Sequence, residues 1–77
     1  LELAADVIKK GGNAGAVLNA ADEIAVAAFL EGKISFERIY QICKMALENC
    51  SNKKAHSIEE LLEADKETRE YCLANIT

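Results

Sequence analysis

Between Ala16 and Leu30 the chain is almost wholly apolar, and its only polar members, Asn19, Asp22 and Glu23, stand at i, i+3 and i+4. Wound as a helix, this stretch is buried nearly all round except for one short polar stripe. Such a helix needs other helices against most of its circumference, so it belongs at the centre of a small helical domain. With 77 residues the chain makes one domain at most, spanning residues 1–77. A chain of this size buries only about 60% of the surface its unfolded form exposes, which leaves a core that is just adequate.

The flanking sequence predicts the partners of that central helix. Leu1, Leu3, Ala4, Val7 and Ile8 recur at helical spacing, and Lys9-Lys10 suit a helix C-terminus before Gly11-Gly12, which tolerate positive φ. Asn13 stands where an N-cap would start the central helix, which runs to about Glu31 and stops at Gly32. After the short link Lys33-Ile34, Ser35 caps a further helix whose apolar positions Phe36, Ile39, Ile42, Cys43, Ala46, Leu47 and Cys50 keep the i, i+3, i+4, i+7 rhythm, with Tyr40 broadening the stripe. The polar run Ser51–His56 lacks apolar periodicity and reads as the main, mobile loop. Ser57-Ile-Glu-Glu60 is a capping box ahead of Leu61 and Leu62.

A single helix from Ile58 to the end would set Asp65 and Arg69 inside the apolar face made by Ile58, Leu61, Leu62, Cys72, Leu73 and Ile76, a costly place for a charge pair. The sequence therefore favours a break near Ala64, with Asp65 capping a separate last helix. No alternating run of β-branched residues predicts a strand. The expected fold class is all-α, a compact bundle of four or five short helices with no sheet and with antiparallel neighbours joined by short links.

Charge and composition exclude several function classes. The net charge of −4 comes with scattered Lys and Arg, which offer no basic stripe for a phosphate backbone, so no nucleic-acid partner is expected. The apolar run of about 15 residues, broken by two carboxylates, falls short of the roughly 20 needed for a membrane span, and no secretory or transit segment is evident. Three cysteines, Cys43, Cys50 and Cys72, fit no zinc or redox spacing. They read as buried, reduced thiols of a cytoplasmic protein. Leu1 opens the chain with helical periodicity already running and no initiator Met, which leads us to expect a piece of a longer polypeptide.

No constellation for catalysis is legible. Asn19, Asp22 and Glu23 offer oxygen atoms on one helix face, but bundle metal sites draw ligands from several facing helices, and the one histidine, His56, falls in the loop. Hydrogen bonds from the stripe to a neighbouring segment or to water are expected instead. His56 lacks a nucleophile beside it. Gly11-Gly12-Asn13-Ala14-Gly15 opens a helix but follows no strand, which makes it a weak phosphate cradle. The acidic residues Glu59, Glu60, Glu63, Asp65, Glu67 and Glu70 look like a solvated face. The sequence therefore assigns no catalytic, cofactor-binding or metal-binding residue.

The block Gly11-Gly-Asn-Ala-Gly-Ala-Val-Leu-Asn-Ala-Ala-Asp-Glu-Ile-Ala-Val-Ala-Ala-Phe-Leu-Glu-Gly-Lys-Ile-Ser-Phe36 closely resembles the C-terminal helical domain of the 1-deoxy-D-xylulose 5-phosphate reductoisomerase family. Ser57-Ile-Glu-Glu-Leu-Leu-Glu-Ala-Asp-Lys-Glu-Thr-Arg69 is similar to the same family's ending, in which an Asp is followed four residues later by an Arg. The likeness spans essentially the whole chain. Two positions depart from it: Asp22 stands where the family usually has Asn, and Gly15 where it often has Pro, a change that should loosen the helix start without moving it.

The resemblance implies an NADPH-dependent oxidoreductase of the non-mevalonate route to isoprenoids, converting 1-deoxy-D-xylulose 5-phosphate to 2-C-methyl-D-erythritol 4-phosphate with Mg²⁺ or Mn²⁺. In such an enzyme the nucleotide occupies an N-terminal Rossmann-like domain. The metal and phosphate sites belong to a central domain that also forms a homodimer. None of those residues matches a position here, so the role left for this segment is to pack on the catalytic domain of the same chain, with no activity of its own. The competing expectation is a free-standing helical interaction module, whose spare apolar surface would be the fourth side of the 16–30 helix.

Overall fold

The computed structural model describes residues 11–52, 54 and 57–76. Among them it contains three α-helices and no strand: α1 (Ala14–Leu30), α2 (Phe36–Cys50) and α3 (Ile58–Ile76). The all-α expectation holds, with fewer elements than four or five. The expected first helix, over residues 1–10, lies outside the described residues, as does His56.

Local chemistry accounts for most of the helix ends. At the end of α1, Gly32 adopts φ 76°, its N–H donates to Phe29 O (3.0 Å), and the Lys33 N–H reaches back to Ala28 O (2.9 Å). This pair of bonds is a Schellman closure, and only glycine takes that φ without a steric cost. Ser35, extended at φ −78° and ψ 165°, opens α2 by accepting the Arg38 N–H on its Oγ (3.3 Å). The capping box forms as the sequence predicts: Ser57 Oγ accepts from the Glu60 N–H (3.1 Å), and Glu60 Oε1 accepts from the Ser57 N–H (3.1 Å).

Asn13 corrects the sequence reading. It stands at the N-cap position of α1 with φ −91° and ψ 8° and makes no side-chain cap. Its Oδ1 instead accepts the Asn52 N–H (2.6 Å), while its own N–H donates to Asn52 O (3.2 Å). The residue spends its side chain on a tether to the α2–α3 link, which fixes Asn52 within a segment expected to be mobile. Gly15 lies in the first turn of α1, which begins at Ala14.

The second correction concerns α3, which runs unbroken through Asp65. Its buried residues are Ala64, Thr68 and Cys72, at i, i+4 and i+8, so the face toward the core is rotated away from the one drawn through the large side chains. Asp65 and Arg69 then fall at the margin of the contact, where they pair with each other, and no break is needed to rescue them.

Helix α1 packs against both other helices. Helix α2 runs antiparallel to it, tied at one end by Asn13 and Asn52 and at the other by the ring contact of Phe29 with Phe36. The core is built from Val17, Ala21 and Ala25 of α1, Ile42, Cys43, Ala46 and Leu47 of α2, and Ala64 and Cys72 of α3. Its largest fully buried side chains are Ile42, Leu47, Val17, Thr68 and Cys72. Each of the three aliphatic ones contributes about 1.5–3 kcal/mol by leaving water. Alanines on α1 and small residues on α3 let those two helices approach closely.

Candidate functional site

The polar stripe of α1 meets water and one neighbour. Asn19, Asp22 and Glu23 are exposed. Glu23 Oε1 accepts from Arg69 Nη2 (2.8 Å), while Arg69 Nε donates to Asp65 Oδ2 (2.9 Å). One guanidinium thus joins α3 to α1 through two carboxylates. Asp65 above all, and then Glu23, hold its proton more tightly than usual. The remaining acidic residues of α3, Glu59, Glu60, Glu63, Glu67 and Glu70, are exposed, as a solvated face requires.

Among the described residues no three His, Cys, Asp or Glu side chains converge as metal ligands.

The three cysteines are free thiols. Burial pushes Cys43 up to about 11, with the Asp22 charge and then Cys72 adding to it. Burial and then Cys50 push Cys72 up to about 11. Burial also raises half-buried Cys50, against the pull of the Thr68 hydroxyl. That hydroxyl is fully buried, and Thr68 Oγ1 is without a hydrogen-bond partner among the described residues. Thiols held protonated in this way are poor nucleophiles.

What the bundle does present is apolar surface at one end. The C-terminus of α1, the N-terminus of α2 and the C-terminus of α3 meet there, as the bond from Arg38 Nη2 to Asn75 O (3.4 Å) shows. At this end Leu30 is 76% exposed and Phe36 is 69% exposed, with Leu73 about half in solvent and Tyr40 and Phe29 partly so. The Phe29 and Phe36 rings stand edge to face, with centroids 5.7 Å apart and planes at 70°. On the α3 side, an open groove of about 300 Å³ is lined by Ile24, Ala27, Ala28, Leu73 and Ile76, with Glu31 and Lys33 at its rim. Those two charges neutralise each other at 3.2 Å.

The expectation that α1 is buried nearly all round therefore fails at Ala27, Phe29 and Leu30, and the placing of Phe36 in the core stripe fails with it. The α1 helix ends at Leu30, so Phe36, which opens α2, meets the Phe29 ring and stays mostly exposed. Thr68 was not singled out by its sequence; a β-branched polar residue set between Ala64 and Cys72 at i+4 spacing was the available signal.

No helix among the described residues is long and apolar enough to cross a membrane. No solved structure matches the chain. Among curated proteins, 1-deoxy-D-xylulose 5-phosphate reductoisomerase of Laribacter hongkongensis is 45% identical over 76 residues, which are 99% of this chain and 20% of that protein. The enzymes of the same name from Thermodesulfovibrio yellowstonii and Aromatoleum aromaticum are 47% and 46% identical over 76 residues, covering 20% and 19% of their lengths. The chain thus spans about a fifth of the length of the curated relatives it matches. The family model described as the DXP reductoisomerase C-terminal domain matches residues 1–71, and the chain belongs to that family.

Proposed function

We propose that this chain is the helical C-terminal part of a cytoplasmic, homodimeric enzyme that uses NADPH and Mg²⁺ or Mn²⁺ to convert 1-deoxy-D-xylulose 5-phosphate to 2-C-methyl-D-erythritol 4-phosphate. The segment acts as a supporting domain that packs on the catalytic domain of the same polypeptide and contributes no catalytic, cofactor-binding or metal-binding residue. The observation that carries this reading is family membership in a chain that covers only a fifth of relatives bearing the reductoisomerase name. The exposed apolar end of the bundle supports this reading, since a supporting domain needs an apolar face for its partner. A free-standing adaptor would need such an end as well, but the family match favours an intramolecular partner.

The test compares three proteins: this chain alone, the parent enzyme truncated just before Leu1, and the full-length enzyme. NADPH consumption is followed with 1-deoxy-D-xylulose 5-phosphate and Mg²⁺. The chain alone should neither bind nor oxidise NADPH. The truncated enzyme should be crippled, because loss of a packed domain loosens the catalytic geometry, where errors of about 1 Å can cost roughly a hundredfold in rate. Full activity after truncation would refute the supporting role, and turnover by the chain alone would refute the whole reading.

A further inference from the structure

We propose that the Leu30 end of the bundle is the seat on which this domain docks against the remaining four-fifths of its own polypeptide, an inference that rests on the supporting role above. The apolar side chains gathered there are not a frayed terminus. The Schellman closure at Gly32 and the Ser35 cap fix the α1–α2 turn, and the Phe29–Phe36 stacking holds the rings in one arrangement, so the surface is ordered before any partner arrives.

Size decides between occupants. Phe29, Leu30, Phe36 and Tyr40 together expose on the order of 400 Å², taking roughly 150–250 Å² for each aromatic when fully exposed. With the neighbouring groove, that matches one side of an interface between domains of a single chain, which in total buries roughly 600–1,500 Å². A stable complex of separate molecules asks for about 800 Å² from each partner, so a second copy of this chain is poorly served. Covalent linkage to the rest of the enzyme supplies an effective concentration in the millimolar range, at which a smaller apolar seat suffices. Glu31 and Lys33 at the groove rim already pair with each other, so docking over the groove strands neither.

The experiment uses the full-length enzyme with Leu30→Glu, Ala27→Glu in the groove wall, and Leu62→Glu as a control, Leu62 being exposed on α3 away from this end. Leu30 and Ala27 are exposed, so neither substitution disturbs the domain's own core. Amide hydrogen exchange over residues 26–40 should speed up about tenfold in Leu30→Glu and Ala27→Glu, turnover should fall with it, and Leu62→Glu should behave as wild type. Exchange and turnover unchanged by both Leu30→Glu and Ala27→Glu, in an enzyme that truncation still inactivates, would overturn the docking face and leave the supporting role standing. An enzyme that keeps full activity after truncation would fail the supporting role itself. Protection of residues 26–40 that rises with enzyme concentration would assign the face to a second copy and overturn the proposal.

Discussion

The division of labour at Asn13 yields a prediction that separates a cap from a tether. The side chain is 4% exposed, and its Oδ1 accepts the Asn52 N–H at 2.6 Å. Asn13→Ala removes that bond and leaves a small gap beside Ala14. The backbone bond from the Asn13 N–H to Asn52 O survives, and Asn52 is exposed, so water can reclaim its N–H. The expected loss is therefore about 1–2 kcal/mol, a made hydrogen bond plus part of a desolvation penalty. For a domain of this size that lowers Tm by about 4–8 °C per kcal/mol.

The discriminating variant is Asn13→Ser. As N-caps, Ser and Asn are nearly equivalent, so a capping role would leave Asn13→Ser close to wild type. A tether needs the reach of the asparagine carbonyl, and the shorter serine hydroxyl falls short, so Asn13→Ser should lose about as much as Asn13→Ala. Asn13→Asp keeps the Oδ acceptor and should lose less than either. Urea melts followed by circular dichroism rank the four proteins, and amide exchange at Asn52 reports the bond itself. A serine variant as stable as wild type, with Asn52 still protected, would refute the tether.

Three further perturbations follow from the same contacts. Arg69→Met should lower Tm at about 0.01 M salt, and the gap from wild type should narrow at about 1 M, because half-exposed pairs are screened; a gap indifferent to salt would mean that Arg69 acts through packing. Thr68→Val replaces a buried, unpartnered hydroxyl with a methyl of the same shape and should stabilise the fold by about 1 kcal/mol in denaturant melts, whereas a loss would reveal a partner for Oγ1. Cys43 and Cys72 titrate higher in the fold than the ordinary thiol value of 9.0, so the native chain keeps protons that the unfolded chain releases. Stability is complete below pH 9.0 and declines as pH rises toward about 11. That slope should flatten in the Cys43→Ala, Cys72→Ala double variant, and iodoacetamide should reach half-buried Cys50 before either of the other thiols.

The features legible in the sequence are those whose partners lie within one helical turn. The Gly32 stop, the Ser35 cap and the Ser57–Glu60 box each close over three to five residues, so residue type and spacing are enough to identify them. Asn13 was misjudged because its partner is 39 residues away. The pairing of Arg69 with Glu23, 46 residues distant, was invisible for the same reason, and without it Asp65 and Arg69 looked like charges stranded in a core. Of the candidate site, an apolar side left over on the 16–30 helix was legible only as what a free-standing module would need, and its concentration at one end was not legible at all. That depends on where α1 stops relative to α2, a property of the assembled bundle.

The reading of α3 went astray by weighting large side chains. A hydrophobic face drawn through Ile58, Leu61, Leu62, Cys72, Leu73 and Ile76 placed Cys72 rightly but assumed that the biggest apolar groups face inward. Against α1, whose buried positions include Ala14, Ala20, Ala21, Ala25 and Ala28, the fully buried positions of α3 are Ala64, Thr68 and Cys72, with Tyr71 and Ile76 packed at the margin, and Ile58, Leu62 and Leu73 turn out to solvent. The same arithmetic operates on α2, where Ile42 and Leu47 fill the interior while Phe36 does not. Folding and docking thus draw on different side chains. The interior is assembled from medium and small groups, whereas Phe36 and Leu30 sit where the bundle's own elements leave them mostly uncovered and Phe29 partly so. A domain with its phenylalanines inside would have little left to offer a partner. Here Leu30 can be replaced without touching a core contact, and for that reason its replacement reports on docking alone.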